Sequence, residues 1–143
     1  MAVVSLDHVV LVARNVPTSL SWYEQVLGAE VQDRLAWEGG EVDYPVLHFG
    51  SFKLNVHPID AELKPCAAVP APGSLDMCFG WDGDVESAFR HLRGYGLVVE
   101  FGPVTQEGAL GRGDSVYTRD PDGNLVELIC YSGDPAGRPG GQS

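Results

Sequence analysis

The order strand, helix, strand, strand, strand can be read twice along this chain, and that repeat limits the folds open to it more than any single motif does. Residues 6–13 (LDHVVLVA) form a β-branched run, predicted as a buried strand. Val16-Pro17-Thr18 then opens a helix, with Leu20, Tyr23 and Leu27 on one face and Gly28 closing it. Segments 30–37, 41–49 and 52–57 are predicted as three strands, joined by hairpins at Gly39-Gly40 and Gly50-Ser51. The order restarts after a Pro/Ala-rich linker at 59–73. Residues 74–81 read as a strand, and 84–94 as a helix with Asp84 at its N-cap. Strand 97–101, a glycine-rich loop (Gly102, Gly108, Gly111, Gly113) and strands 115–119 and 125–131 complete it. The expected fold class is α+β: two βαβββ modules, 5–58 and 74–131, in tandem, forming a curved mixed sheet around a cleft. They make a single domain over 1–131, and 132–143 is expected to be a flexible tail.

Composition removes several classes of function. With nine Lys+Arg against twenty Asp+Glu, the formal charge of −11 disfavours nucleic acid and anionic membrane as partners. No apolar run reaches the length of a membrane span, and no signal peptide is visible, so a soluble cytoplasmic protein is expected. Cys66, Cys78 and Cys130 are odd in number and lack CxxC spacing. They read as reduced thiols, with Cys78 and Cys130 as small core residues.

Strand parity sorts side chains into a helix-packed face and a cleft face. Val9 and Leu11 pack inward, leaving His8 on the cleft side. Phe52, Leu54 and Val56 leave Lys53, Asn55 and His57 opposite. Met77, Phe79 and Trp81 leave Asp76, and Val126, Leu128 and Cys130 leave Glu127 with Tyr131. Glu127 interrupts an apolar strand that follows the turn Asp120-Pro121-Asp122-Gly123-Asn124. A carboxylate in such a place calls for a cation, either a metal ion or an Arg or Lys. His8, His57, Asp76 and Glu127 together, two imidazoles and two carboxylates, form a donor set for a divalent first-row metal. Each alone reads as readily as a core or ion-paired residue.

On the stretches LDHVVLVA, SWYEQVLG, PGSLDMCF and DPDGNLVEL the chain resembles the vicinal oxygen chelate superfamily over residues 5–131. That superfamily includes glyoxalase I, extradiol dioxygenases, fosfomycin-resistance transferases, methylmalonyl-CoA epimerase and bleomycin-resistance proteins. The resemblance is nearest to small stand-alone glyoxalase-domain proteins. It implies metal ligands at His8, at His57 for the fourth strand, at Asp76 for the fifth and at Glu127 for the last. Asp76 departs from the usual His. Matching LDH to LDM by eye would set His8 opposite Met77, whereas parity favours Asp76. The ligand order His, His, Asp, Glu differs from the His, Glu, His, Glu of Glu-type glyoxalase I, with the same inventory.

The implied cofactor is a divalent ion, Ni, Zn, Co, Mn or Fe, and the implied assembly is a homodimer. The implied substrate is a small oxygenated molecule that chelates through two neighbouring oxygens. Glyoxalase/isomerase-like lyase chemistry, with Glu127 or Asp76 as base, leads. An Fe(II) extradiol-type dioxygenase and a metal-free binder of the bleomycin-resistance kind are the alternatives. Lys53, Asn55, Tyr117, Arg119 and Tyr131 are candidate substrate contacts by parity. Arg112, in the glycine-rich loop, is a candidate anion clamp. Trp37 and Tyr44, on the second and third strands, are expected to pack in the core, and His48 and His91 to be structural or exposed.

Overall fold

The computed structural model describes residues 1–131; the expected tail at 132–143 lies outside the described residues. The chain divides after Ser74 into two compact units. Each has a four-stranded mixed sheet with helical packing.

In the first unit, strand β1 (His8–Ala13) leads to helix α1 (Val16–Leu27). Asn15 caps the helix, its side chain accepting from Thr18 N–H at 3.0 Å, and Gly28 ends it at φ 71°. A residue with a Cβ would be strained there, which is why glycine closes this helix. β2 (Glu30–Gln32), a short helix α2 (Arg34–Glu38), β3 (Val46–Phe49) and β4 (Phe52–Pro58) follow. The sheet order is β1-β4-β3-β2, with β1 and β4 parallel and the other pairs antiparallel. The core lies on the α1 face. Leu11, Leu47, Leu54 and Val56 are buried there with Leu20 and Tyr23, whose ring meets Phe49 edge-on. Burying such side chains contributes roughly 1.5–3 kcal/mol each.

Two predicted strands of this unit are shorter than expected. Segment 30–37 keeps only three strand residues, because Asp33 adopts a left-handed φ of 65° and breaks the strand. Arg34-Leu35-Ala36-Trp37 contains no β-branched residue and turns into a helix. Trp37 is therefore helical. Segment 41–49 is a strand only from Val46, so Tyr44 sits in the preceding connection.

The second unit repeats the plan with β5 (Asp76–Gly80), α3 (Val85–Gly94), β6 (Phe101–Gly108), β7 (Gly111–Arg119) and β8 (Leu125–Cys130). Its order is β5-β8-β7-β6, again with one parallel pair, β5 with β8. Asp84 caps α3, accepting from Ser87 N–H at 2.8 Å. Ala88 and Leu92 are buried, as are Val116, Val126 and Leu128.

Here the predicted glycine-rich loop is wrong. Residues 102–113 lie mostly in two paired strands, and 97–100 precede the strand that begins at Phe101. The glycines serve packing. A Cβ on Gly113 would stand 2.9 Å from the Cys130 carbonyl and from Ile129, and one on Gly108 would collide with the Tyr131 hydroxyl. Glycine-rich sequence here marks close approach of the neighbouring strand, not a turn.

All three cysteines are free; Cys130 is buried, whereas Cys78 is exposed on the edge strand β5 and is not a core residue. Among the described residues no helix is long and apolar enough to cross a membrane.

Candidate functional site

In each unit the face turned away from the packed helix carries most of the polar side chains singled out from the sequence.

On the first unit's face, strand pairing builds rows across the sheet. His8 shares a row with Lys53 and His48, Val10 with Asn55 and Val46, and Val12 with His57. His8 Nδ1 meets Asp7 Oδ1 at 2.7 Å. That contact holds the Asp7 carboxyl below the usual carboxylate range, through the hydrogen bond first and the imidazole charge second. It also orients the ring so that Nε2 is the nitrogen left to bind a ligand. His57 is half-buried against the Tyr44 ring, with centroids 4.7 Å apart. Burial lowers its pKa, and the charge of His8 is a smaller second cause. Lys53 is half-buried beside His8. Asn55 is only 4% exposed, and its Oδ1 has no hydrogen-bond partner.

On the second unit's face Glu127 is the centre. Its row holds Cys78 and Tyr117, and the next row holds Ser115. Ser115 Oγ donates to Glu127 Oε2 at 2.6 Å, and the Cys78 thiol and Tyr117 hydroxyl stand beside the carboxylate in its row. Gln106 Nε2 in turn donates to the Tyr117 hydroxyl at 2.9 Å. The cost of this arrangement appears in the row neighbours. Desolvation, then the Glu127 charge, pushes the Cys78 thiol up to about 12, and Tyr117 is raised by the same two causes. Asp76 is exposed, one row away from Glu127.

The other candidate contacts are already engaged. Arg119 holds Glu100 with two bonds, at 2.7 and 2.9 Å, and donates to the Gly123 carbonyl. Arg112 lies on β7, where it pairs with Glu107 at 3.2 Å on the surface, and is not a loop clamp. The Tyr131 hydroxyl accepts from Leu110 N–H at 3.3 Å and packs on Gly108, which pins the β6–β7 hairpin. His48 bonds Gln32, and His91 stacks between Trp81 and Tyr95. Sequence reasoning missed Ser115, Gln106 and Asp7. Ser115 shares the parity of Tyr117 and could have been found that way, whereas Gln106 sat in a stretch read as loop.

Among the described residues no three His, Cys, Asp or Glu side chains gather at metal-binding spacing. What each unit offers is a pair of donors one row apart. Their chemistry, an oriented imidazole, a buried unpartnered amide oxygen and carboxylates, fits a borderline-to-hard divalent ion.

The family model of the Glyoxalase/Bleomycin resistance protein/Dioxygenase superfamily matches residues 5–128. The chain is 38% identical over 131 residues to a glyoxalase domain-containing protein, RDO1, of Mycosarcoma maydis, covering 92% of this chain and 70% of that one. It is 36% identical over 135 residues to the virulence protein STM3117 of Salmonella typhimurium, covering 92% and 87%. The crystal structure of that protein matches with a TM-score of 0.82, over 92% of this chain and 99% of that one. A protein from the mobile metagenome of V. pseudocholerae matches with a TM-score of 0.84 at 38% identity, covering 92% and 98%. At 14% identity, where only the fold is shared, the fosfomycin resistance protein FosX from Listeria monocytogenes matches with a TM-score of 0.58. The structure matched is that of a variant solved with Mn(II) and 1S,2S-dihydroxypropylphosphonic acid.

Proposed function

The chain belongs to the glyoxalase/bleomycin resistance protein/dioxygenase superfamily, and from that membership we propose that it is a metal-dependent enzyme acting on a small oxygenated molecule through two neighbouring oxygens. The reaction is glyoxalase/isomerase-like proton transfer beside a carbonyl. The residues that would hold the ion are His8, Asp76 and Glu127, with His57 as the fourth-strand candidate drawn from the sequence.

The observation that carries this reading is the setting of Glu127. Its carboxylate accepts from the neutral Ser115 hydroxyl, with the Cys78 thiol and Tyr117 hydroxyl in its row, while the arginine of its face, Arg119, is taken by Glu100. A neutral donor orients the carboxylate without neutralising it, which leaves its charge for a cation or a substrate proton. When bound, a divalent ion supplies Lewis acidity toward the substrate's paired oxygens. Glu127 takes a proton from the carbon next to the carbonyl and returns it to the neighbouring carbon, with Asp76 as the second candidate base. Ser115 holds the receiving carboxylate in place, and Asp7 holds the His8 ring.

The test is elemental analysis of protein purified without a metal-affinity tag, beside Glu127→Ala. About one ion per chain, lost in the variant, is expected. No ion in either protein, even after reconstitution, overturns the metal reading, and retention of ligand binding after chelation would favour a metal-free binder. Iron as the bound ion, with oxygen uptake on a catechol, would move the reaction to the dioxygenase class.

A further inference from the structure

The register of the first sheet sets His57 apart from His8. β1 and β4 pair His8 with Lys53, Val10 with Asn55 and Val12 with His57. His57 thus lies four residues along the sheet from His8, about 13 Å at ~3.3 Å per residue. Strand side chains stand roughly perpendicular to their sheet, so the register sets His57 twice as far from the His8 row as Asn55. Asn55 lies two residues along, about 7 Å from the His8 row.

The second unit has that same two-residue step. β5 and β8 pair Asp76 with Leu125 and Cys78 with Glu127, so Glu127 lies two residues along from Asp76. Setting His8 on Asp76 also sets Leu54 and Val56 on Val126 and Leu128, four side chains that are all at most 1% exposed. In this correspondence Asn55 occupies the place of Glu127, and His57 that of Ile129.

Independently, Asn55 Oδ1 is, among the described residues, the buried side-chain oxygen or nitrogen without a hydrogen-bond partner. Buried polar atoms are normally satisfied, and an exception is costly unless something else uses it. Chemistry-bearing sites are where such exceptions are retained.

We propose that Asn55, not His57, supplies the fourth-strand contact to the bound cation through its amide oxygen. The inference rests on the metal-site reading above and deepens it. In the first unit the contacts become one imidazole nitrogen and one amide oxygen, from His8 and Asn55, in place of two imidazoles. Oxygen donors suit harder ions, so the site discriminates less in favour of Zn(II) over Mn(II) than a two-imidazole site would.

The test is calorimetric titration of Mn(II) and of Zn(II) into the metal-free full chain, with folding checked by circular dichroism. Asn55→Ala is expected to weaken Mn(II) binding at least tenfold, and His57→Ala to stay within about threefold of the parent. Asn55→Asp should bind Mn(II) at least as tightly as the parent. Asn55→His should shift the preference toward Zn(II). The reverse pattern, with His57→Ala losing tenfold and Asn55→Ala unchanged, overturns the proposal. A thermal melt of metal-free Asn55→Leu gives a second readout. Removing an unsatisfied buried amide should raise the melting temperature, whereas a lower one makes Asn55 a structural residue and overturns the proposal. If the parent chain takes up neither ion, the metal reading itself has failed and this assignment fails with it. That outcome is distinct from a parent that binds while Asn55→Ala binds equally well.

Discussion

Glu127 shows how one residue's setting reaches its neighbours. Its charge and the local desolvation keep the Cys78 thiol protonated up to about 12, although Cys78 as a residue is exposed. Only thiolates are alkylated, so iodoacetamide should label Cys78 at pH 8 roughly a hundredfold or more slowly than a thiol titrating normally. Its rate should climb tenfold per pH unit toward pH 12. Glu127→Gln removes the second cause and should accelerate labelling, with desolvation still acting; mass spectrometry of each cysteine reads both. The linkage has a definite sign. The thiol's folded-state value is raised above its ordinary 9.0, so this contribution to stability is complete below pH 9 and is lost as pH rises toward 12. At this scale Glu127 was legible from sequence, because a carboxylate interrupts an apolar strand. Its partner Ser115 shares the parity of Tyr117, but the contact itself depends on the β7–β8 register, which pairs Ser115 with Ile129 one row from Glu127.

Among the elements, the turn from β7 into β8 holds the second unit's parallel pair together. Buried Asp120 accepts from the backbone N–H groups of Asp122 and Asn124 through Oδ1, and from Asn124 Nδ2 through Oδ2. Asn124 Oδ1 accepts from Leu75 N–H at 2.8 Å, and Leu125 N–H reaches the Leu75 carbonyl. The motif that marks the family is thus a clasp between the entry to β5 and the start of β8. Asp120→Ala leaves several buried donors unpaired and should cost about 3 kcal/mol in denaturant unfolding. Arg112→Ala, which breaks only an exposed pair with Glu107, should stay within about 0.5 kcal/mol. Helices α1 and α3 were readable because Pro17, Gly28 and Asp84 act through local chemistry, although the Asn15 cap on α1 went unread. The β6–β7 hairpin was not, because Gly108 and Gly113 answer to Ile129 on β8 and Gly108 also to Tyr131 just past it.

For the whole molecule, the repeat means that two units with one strand order offer one polar face each. The family resemblance implies a homodimer, and light scattering of the full chain should return twice the chain mass at micromolar concentration; a monomer there would remove that expectation. The sequence by itself determined the doubled strand-helix-strand order, the helix ends and the side of each strand on which His8, Asn55, His57, Asp76 and Glu127 stand. Period-two alternation, caps and turn residues act over a few neighbours, so they can be read along the chain. Only the tertiary structure decided the row in which each side chain lies: Asn55 opposite Val10, His57 opposite Val12 and Glu127 opposite Cys78. A row is a property of two paired strands, and here the paired residues are 45 to 49 positions apart, with helical and further strand segments between them.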